Sequence, residues 1–217
     1  MILLRHARVT LALHAFAAGE GAPLLLLHGV GGSAKDWRSA PIDWPGAVYA
    51  LDFSGHGESA WVLGGAYTPE LLVGDADAAL AHLGTAHIAG AGLGAWVALL
   101  LAGTRPERVP GALLLPGAGL AGGGALPDFE SAGEGWILES SRAPRGDGPH
   151  DPLARSLDHD LRPIDYAEAF AVRARRLLLA EGGDARPPWW EAVAKTATAE
   201  RLSSSEIRSG LQHLARG

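Results

Sequence analysis

His87-Ile88-Ala89-Gly90-Ala91-Gly92-Leu93-Gly94-Ala95 is the stretch that decides how this chain folds. After His87 its residues are small or apolar, and His87–Ala91 reads as a strand ending at Ala91. From Leu93 to Gly103 a strongly apolar run of helical length follows. Position 92 therefore stands at a strand-to-helix corner, with a glycine two residues before it and another two residues after it. Glycines at those places relieve the crowding where strand and helix meet, and the residue between them stands exposed above the sheet. In the pattern G-x-S-x-G that residue is a serine. Here it is Gly92.

The same alternation of short aliphatic runs and helical patterns extends in both directions. Upstream, Pro23–His28 is a nearly continuous apolar run, as expected of a strand covered on both faces, and His28-Gly29-Val30-Gly31-Gly32 follows it directly. Glycines there let the backbone turn sharply, so that amide N–H groups can point into a cavity, although glycines after a strand also serve as a plain turn. Ser33 is placed to cap a short helix carrying Trp37. Val48–Asp52 is the next strand. It runs into Asp52-Phe53-Ser54-Gly55-His56-Gly57-Glu58-Ser59, where the Asp52 and Ser59 side chains can bond the loop backbone and His56 is read as structural or surface rather than as an acid–base group. Thr68-Pro69-Glu70 is a helix start: a capping hydroxyl, proline at the first helical position, then an acid near the positive dipole end. Arg8–Ala17 reads as an opening hairpin or pair of edge strands, closed by the turn-rich Gly19–Ala22. Downstream, Val109–Leu115, Arg176–Ala180 and Ala197–Leu202 read as strands, and 203–217 as a terminal helix with Ile207, Leu211 and Leu214 on one face. The fold class is α/β: a mostly parallel open sheet with helices on both faces and right-handed crossovers. Length allows one domain, 1–217, with 118–171, rich in Gly, Pro and charge, a small cap excursion.

Three motifs in this order, each on the element it needs, resemble the α/β-hydrolase superfamily, and within it the compact esterase, lipase and peroxidase-like members that carry HGxGG, then DxxGHGxS, then a nucleophile elbow. The resemblance runs from Pro23 to Pro116, resumes more weakly from Asp165 and is absent from the cap. It implies a sheet of seven or eight strands and a ligand site at His28, Gly29, Val30 and Leu93, with the backbone amides of Val30 and Leu93 as an oxyanion hole. Gly92 falls in the nucleophile slot. Asp184, in Glu181-Gly182-Gly183-Asp184, falls in the acid slot, where a structural turn explains it equally well. The slot for the histidine, after the last strand, holds Leu202-Ser203-Ser204-Ser205-Glu206 instead. Two of three triad positions thus depart from the pattern. Loss of a triad member costs on the order of 10⁴ to 10⁶ in turnover, so triad hydrolysis is not expected. What the resemblance leaves is a protein that binds a small acyl or carboxylate ligand, or an enzyme that acts on a small ester or carbonyl substrate by other chemistry through the same amides.

Substitute bases are few. His150 and His159 lie in the cap, where a fold over the cleft would bring one inward, although cap histidines are more often at the surface; His82, His213, His6 and His14 are read as remote or outward-facing. Trp189 and Trp190 are read as packing. Histidines are isolated and neither HxH nor HExxH occurs, so no metal and no cofactor is implied. With no cysteine, thiol nucleophiles, disulfides and cysteine metal sites are all excluded. A net charge of −6 without a Lys/Arg cluster speaks against nucleic acid and anionic membranes as partners. The opening MILLRHARVT lacks the form of a signal peptide, and apolar runs such as Leu24–Leu27 fall far short of the roughly 18–20 residues of a membrane span. A cytoplasmic location is the expectation. The cap, which would set specificity, carries no recognisable motif and names no ligand.

Overall fold

Leu24–Leu27 and His87–Ala91 lie side by side as parallel strands, with Leu24 opposite His87 and Leu27 opposite Gly90. The loop after the first strand and the corner after the second therefore open at the same edge of one sheet. The computed structural model describes residues 1–62, 67–123, 150–181, 186–202 and 207–215, and among them the sheet has seven strands. These are β1 (Ile2–His6), β2 (Val9–Leu27), β3 (Gly46–Asp52), β4 (His87–Ala91), β5 (Ala112–Leu115), β6 (Leu177–Ala180) and β7 (Ala199–Leu202). β2, β4, β5, β6 and β7 neighbour one another in that order, each pair parallel, while β1 closes the first edge antiparallel to β2. The mostly parallel open α/β sheet anticipated from the sequence is the one observed.

One element differs in kind. Arg8–Ala17 reads in the sequence as a hairpin or pair of edge strands, closed by a turn before Pro23–His28, whereas the chain stays extended from Val9 to Leu27 as one bent strand and its hairpin partner is β1. Its first arm pairs with β3 from Ala12 opposite Asp52 to Ala17 opposite Val48. Its second arm lies along the same strand from Leu24 opposite Val48 to Leu27 opposite Leu51. β3 is thus held between two arms of one strand. The bend is possible because glycines meet there: a Cβ on Gly21 would sit 3.2 Å from the Gly46 nitrogen.

Helices cover both faces because each strand splits its side chains between them. Leu25 and Leu27 join one core with α1 (Pro69–Leu83), α2 (Leu93–Thr104) and Trp96, while Leu24 and Leu26 face the 3₁₀ turn Ala34–Ser39 and α5 (Ile207–Leu214) on the other side. All four leucines are fully buried, a contribution of about 1.5–3 kcal/mol each. The expected caps are present: Thr68 Oγ1 accepts from the Leu71 amide, and Ser33 with Asp36 forms a capping box. Of the stretch read as a cap, the described part comprises 118–123 and 150–171, with a 3₁₀ turn at Pro152–Asp158 and α3 (Ile164–Ala171) packed on α2. Trp189 and Trp190 are buried in α4 (Pro188–Val193), a short helix that packs against α3 and was not anticipated. Among the described residues no helix is long and apolar enough to cross a membrane.

Candidate functional site

The corner at position 92 has the backbone that its glycines allow. Gly92 adopts φ 59° and ψ −121° as the residue before α2, a left-handed conformation that a side chain tolerates poorly. A Cβ on Gly94 would overlap the Leu27 carbonyl oxygen, so only glycine lets the helix start this close to β2. The Gly92 amide donates to the Leu115 carbonyl at 3.0 Å, which fixes the corner to the end of β5.

The loop after β2 is held from below by two buried imidazoles. His28 Nδ1 donates to its neighbour's Gly29 carbonyl (2.8 Å), and Nε2 accepts from the Phe53 amide (3.2 Å). His56 Nδ1 donates to the Ser54 carbonyl (3.0 Å), and Nε2 accepts from the Gly31 amide (3.3 Å). A ring nitrogen that accepts from an amide carries no proton, so both rings are neutral and neither keeps a free lone pair for chemistry. Burial accounts for this: it pushes the His28 pKa down and takes that of His56 to about 3. His56 is therefore structural. Asp52 keys the second motif as expected, accepting from the amides of Ala34 and Glu58, both at 2.7 Å, and bonding His14 Nε2 at 2.9 Å.

The two amides assigned to an oxyanion hole point at one oxygen, and that oxygen belongs to this chain. Val30 N–H donates to the Ala118 carbonyl at 3.2 Å and Leu93 N–H donates to the same carbonyl at 2.9 Å. The segment that delivers it follows β5 and is pinned from outside. Arg162 Nη2 donates to the Gly119 carbonyl (3.2 Å), and Trp189 Nε1 donates to that of Leu120 (3.0 Å). A Cβ built on Gly92 would overlap the Ala118 oxygen and lie 2.6 Å from the Gly117 carbonyl carbon, while a Cβ on Gly29 would lie 2.8 Å from that same oxygen. Beside this closed corner is a cavity of about 400 Å³ whose wall includes His28, Val30, Asp36, Trp37, Ala118 and Ile207.

The other sequence candidates are distributed as follows. Asp184 and Ser203–Glu206, the residues in the acid and histidine slots, lie outside the described residues. His150 comes to the glycine loop: its backbone bridges His56, its ring stacks on the His56 ring at 5.9 Å, and its Cε1 lies 3.7 Å from where a Gly31 Cβ would be. Burial and Arg155 lower its pKa. The adjacent Asp151 does not orient it, since that carboxylate accepts from Tyr67 Oη (2.8 Å) and the Leu153 amide (3.0 Å). His159 is half-buried at the end of the 3₁₀ turn Pro152–Asp158, and His82 is exposed. His213 bonds Glu200 (2.8 Å), and His6 bonds Asp75 (2.7 Å). Among the described residues no group of three or more His, Cys, Asp or Glu is placed to hold a metal ion. Ala118 was missed by sequence reading. Its only trace there is the Gly/Ala-rich composition of 117–127, because the atom that meets the two amides is a backbone oxygen.

A model of the alpha/beta hydrolase family matches residues 24–215. The chain is 41% identical over 107 residues to the dihydrolipoyllysine-residue acetyltransferase component of an acetoin cleaving system from Pseudomonas putida, covering 47% of this chain and 29% of that one. The chain spans less than half the length of the curated relatives it matches. Among solved structures, a thioesterase domain from the curacin biosynthetic pathway superposes with a TM-score of 0.70 at 16% identity, covering 99% of this chain and 97% of that one. The bottromycin epimerase BotH, in complex with bottromycin A2, superposes with a TM-score of 0.63 at 20% identity, covering 99% and 96%. At these identities the likeness is one of fold.

Proposed function

The chain belongs to the α/β-hydrolase family, and we propose that it is a member that binds a small acyl-bearing ligand without triad chemistry. The observation that carries this reading is the Ala118 carbonyl, which takes both the Val30 and the Leu93 amides. An oxyanion hole accelerates acyl transfer only when its donors are free to meet charge as it develops, and here they are engaged in the resting state. No nucleophile fits either, because the volume a side chain would need at position 92 is filled by backbone.

The same geometry supports a neutral acyl group as the ligand. They hold a neutral carbonyl oxygen at ordinary hydrogen-bond distances, the group an ester, thioester or amide would present. The adjoining cavity of about 400 Å³ is of ligand size, and Asp36 is its one charged lining group among the described residues. A carboxylate on the wall disfavours a free carboxylate in the ligand, so a neutral acyl compound is the better fit.

A fluorophosphonate probe and 4-nitrophenyl acetate test this directly. The expected outcome is no labelled residue and hydrolysis at the buffer rate, while hexanamide shifts NMR signals of Ala40 and Ile207 at the cavity. Labelling of any serine would overturn it. A second reading, chemistry on a small ester or carbonyl compound without a triad, is favoured by the neutral His150 imidazole against Gly31. That a protein of similar fold is named an epimerase is in keeping with chemistry other than hydrolysis. Under that reading turnover of the substrate is lost in His150→Gln.

A further inference from the structure

We infer that Pro116–Ala121 is an internal partition that competes with the ligand for the Val30 and Leu93 amides, and that Arg162 and Trp189 latch it in place. This rests on the small-ligand reading and adds its regulation.

The segment separates two spaces. On one side Pro116 and Ala118 wall the cavity of about 400 Å³; on the other Pro116, Gly117, Gly119, Leu120 and Ala121 wall a second cavity of about 490 Å³ lined also by Asp158 and Pro187. A single strand of backbone stands between them. Gly117 and Ala118 are exposed, and only Leu120 is buried, so side-chain packing contributes little to keeping the segment where it is. What holds it is a row of accepted hydrogen bonds: two amides on the Ala118 oxygen, the Arg162 guanidinium on that of Gly119, and the Trp189 indole on that of Leu120. Each is worth about 0.5–1.5 kcal/mol net, the charged one somewhat more. An acyl ligand replaces the Ala118 oxygen with its own, so the amides exchange one acceptor for another and lose nothing. Displacement toward the second cavity joins the two spaces and makes room for the rest of the ligand.

Arg162 also bonds the carbonyls of Leu157 and Asp160 and stacks on Trp96 at 5.6 Å, so its removal would disturb more than the partition. Two gentler substitutions separate the latch from the fold. Trp189→Phe deletes the donor to Leu120 and keeps an aromatic ring. Gly119→Ala acts on the partition itself, because residue 119 has φ 76° and its added Cβ would overlap Val30 Cγ2.

Hydrogen exchange of the full chain, followed by NMR, reads the result. Val30 and Leu93 amides exchange about fivefold to tenfold faster in each variant than in the parent chain, while Leu99 in α2 and Leu113 in β5 keep their rates. Saturating hexanamide then slows the two amides again, and binds each variant about fivefold more tightly than the parent. Unchanged Val30 and Leu93 exchange in both variants overturns the partition. So does hexanamide binding that shifts Ala40 and Ile207 and leaves those two amides untouched. Faster exchange in both variants without hexanamide binding anywhere establishes the partition and overturns the ligand reading instead.

Discussion

Gly92 sits where two requirements coincide, a left-handed backbone and an absent Cβ. Gly92→Ser restores the family's G-x-S-x-G spelling but must push the Gly117–Ala118 backbone aside. The expected outcome is a protein less stable by about 1–3 kcal/mol and still inert toward 4-nitrophenyl acetate, measured by urea unfolding and by release of nitrophenolate. His56 makes the opposite case, a residue whose chemistry is used up in holding the loop. In His56→Leu the Gly31 amide and the Ser54 carbonyl both lose their partners. Stability should fall by roughly 1–3 kcal/mol, the cost of leaving the buried Ser54 carbonyl unsatisfied, since Gly31 is exposed and its amide can turn to water. Glycine at the nucleophile slot was plain in the sequence; what fills the space above it was not, because a backbone oxygen is the same atom at every residue and leaves no mark in composition or spacing.

Elements were legible where a side chain announces them. Thr68-Pro69-Glu70 gave a helix start at Pro69, and Thr68→Ala should cost about 1 kcal/mol, a fall in Tm of roughly 2–4 °C by calorimetry. The runs before each motif became strands because small and aliphatic residues in nearly unbroken sequence suit a sheet covered twice. Failures lie where tertiary contact overrides local cues. Gly19–Ala22 carries turn residues, yet pairing on both sides of β3 keeps the chain extended through them. Pro187-Pro188 conceals α4, since proline suits the first helical turn as well as a loop. The acid and histidine slots, Asp184 and Ser203–Glu206, fall outside the described residues, so there the sequence reading stands alone.

For the molecule as a whole, buried and half-buried histidines set the response to acid. His28, His56, His87 and His150 all have folded pKa values below 6.5, first because burial disfavours the charged ring, with His56 near 3. The unfolded chain therefore takes up protons first as pH falls. Their stabilisation is complete above about pH 6.5 and is lost progressively between 6.5 and 3. His6 runs the other way: its hydrogen bond to Asp75 raises its pKa, so its share is present below 6.5 and lost as pH rises through the folded value. With one ring against four, urea midpoints should drop from pH 7 to pH 4.5, and His56→Leu should flatten that slope.

The embrace of β3 by the two arms of β2 bears on how the chain reaches this structure. Residues 1–52 close a four-lane piece of sheet by contacts between near neighbours in sequence, whereas each later parallel pair waits for a long crossover to form. Loop-closure entropy makes the near pairs cheap and the far ones slow. The N-terminal quarter is thus the natural nucleus. Truncating Leu13 to alanine should slow refolding, while Leu178→Ala in β6 should leave the refolding rate nearly alone and speed unfolding.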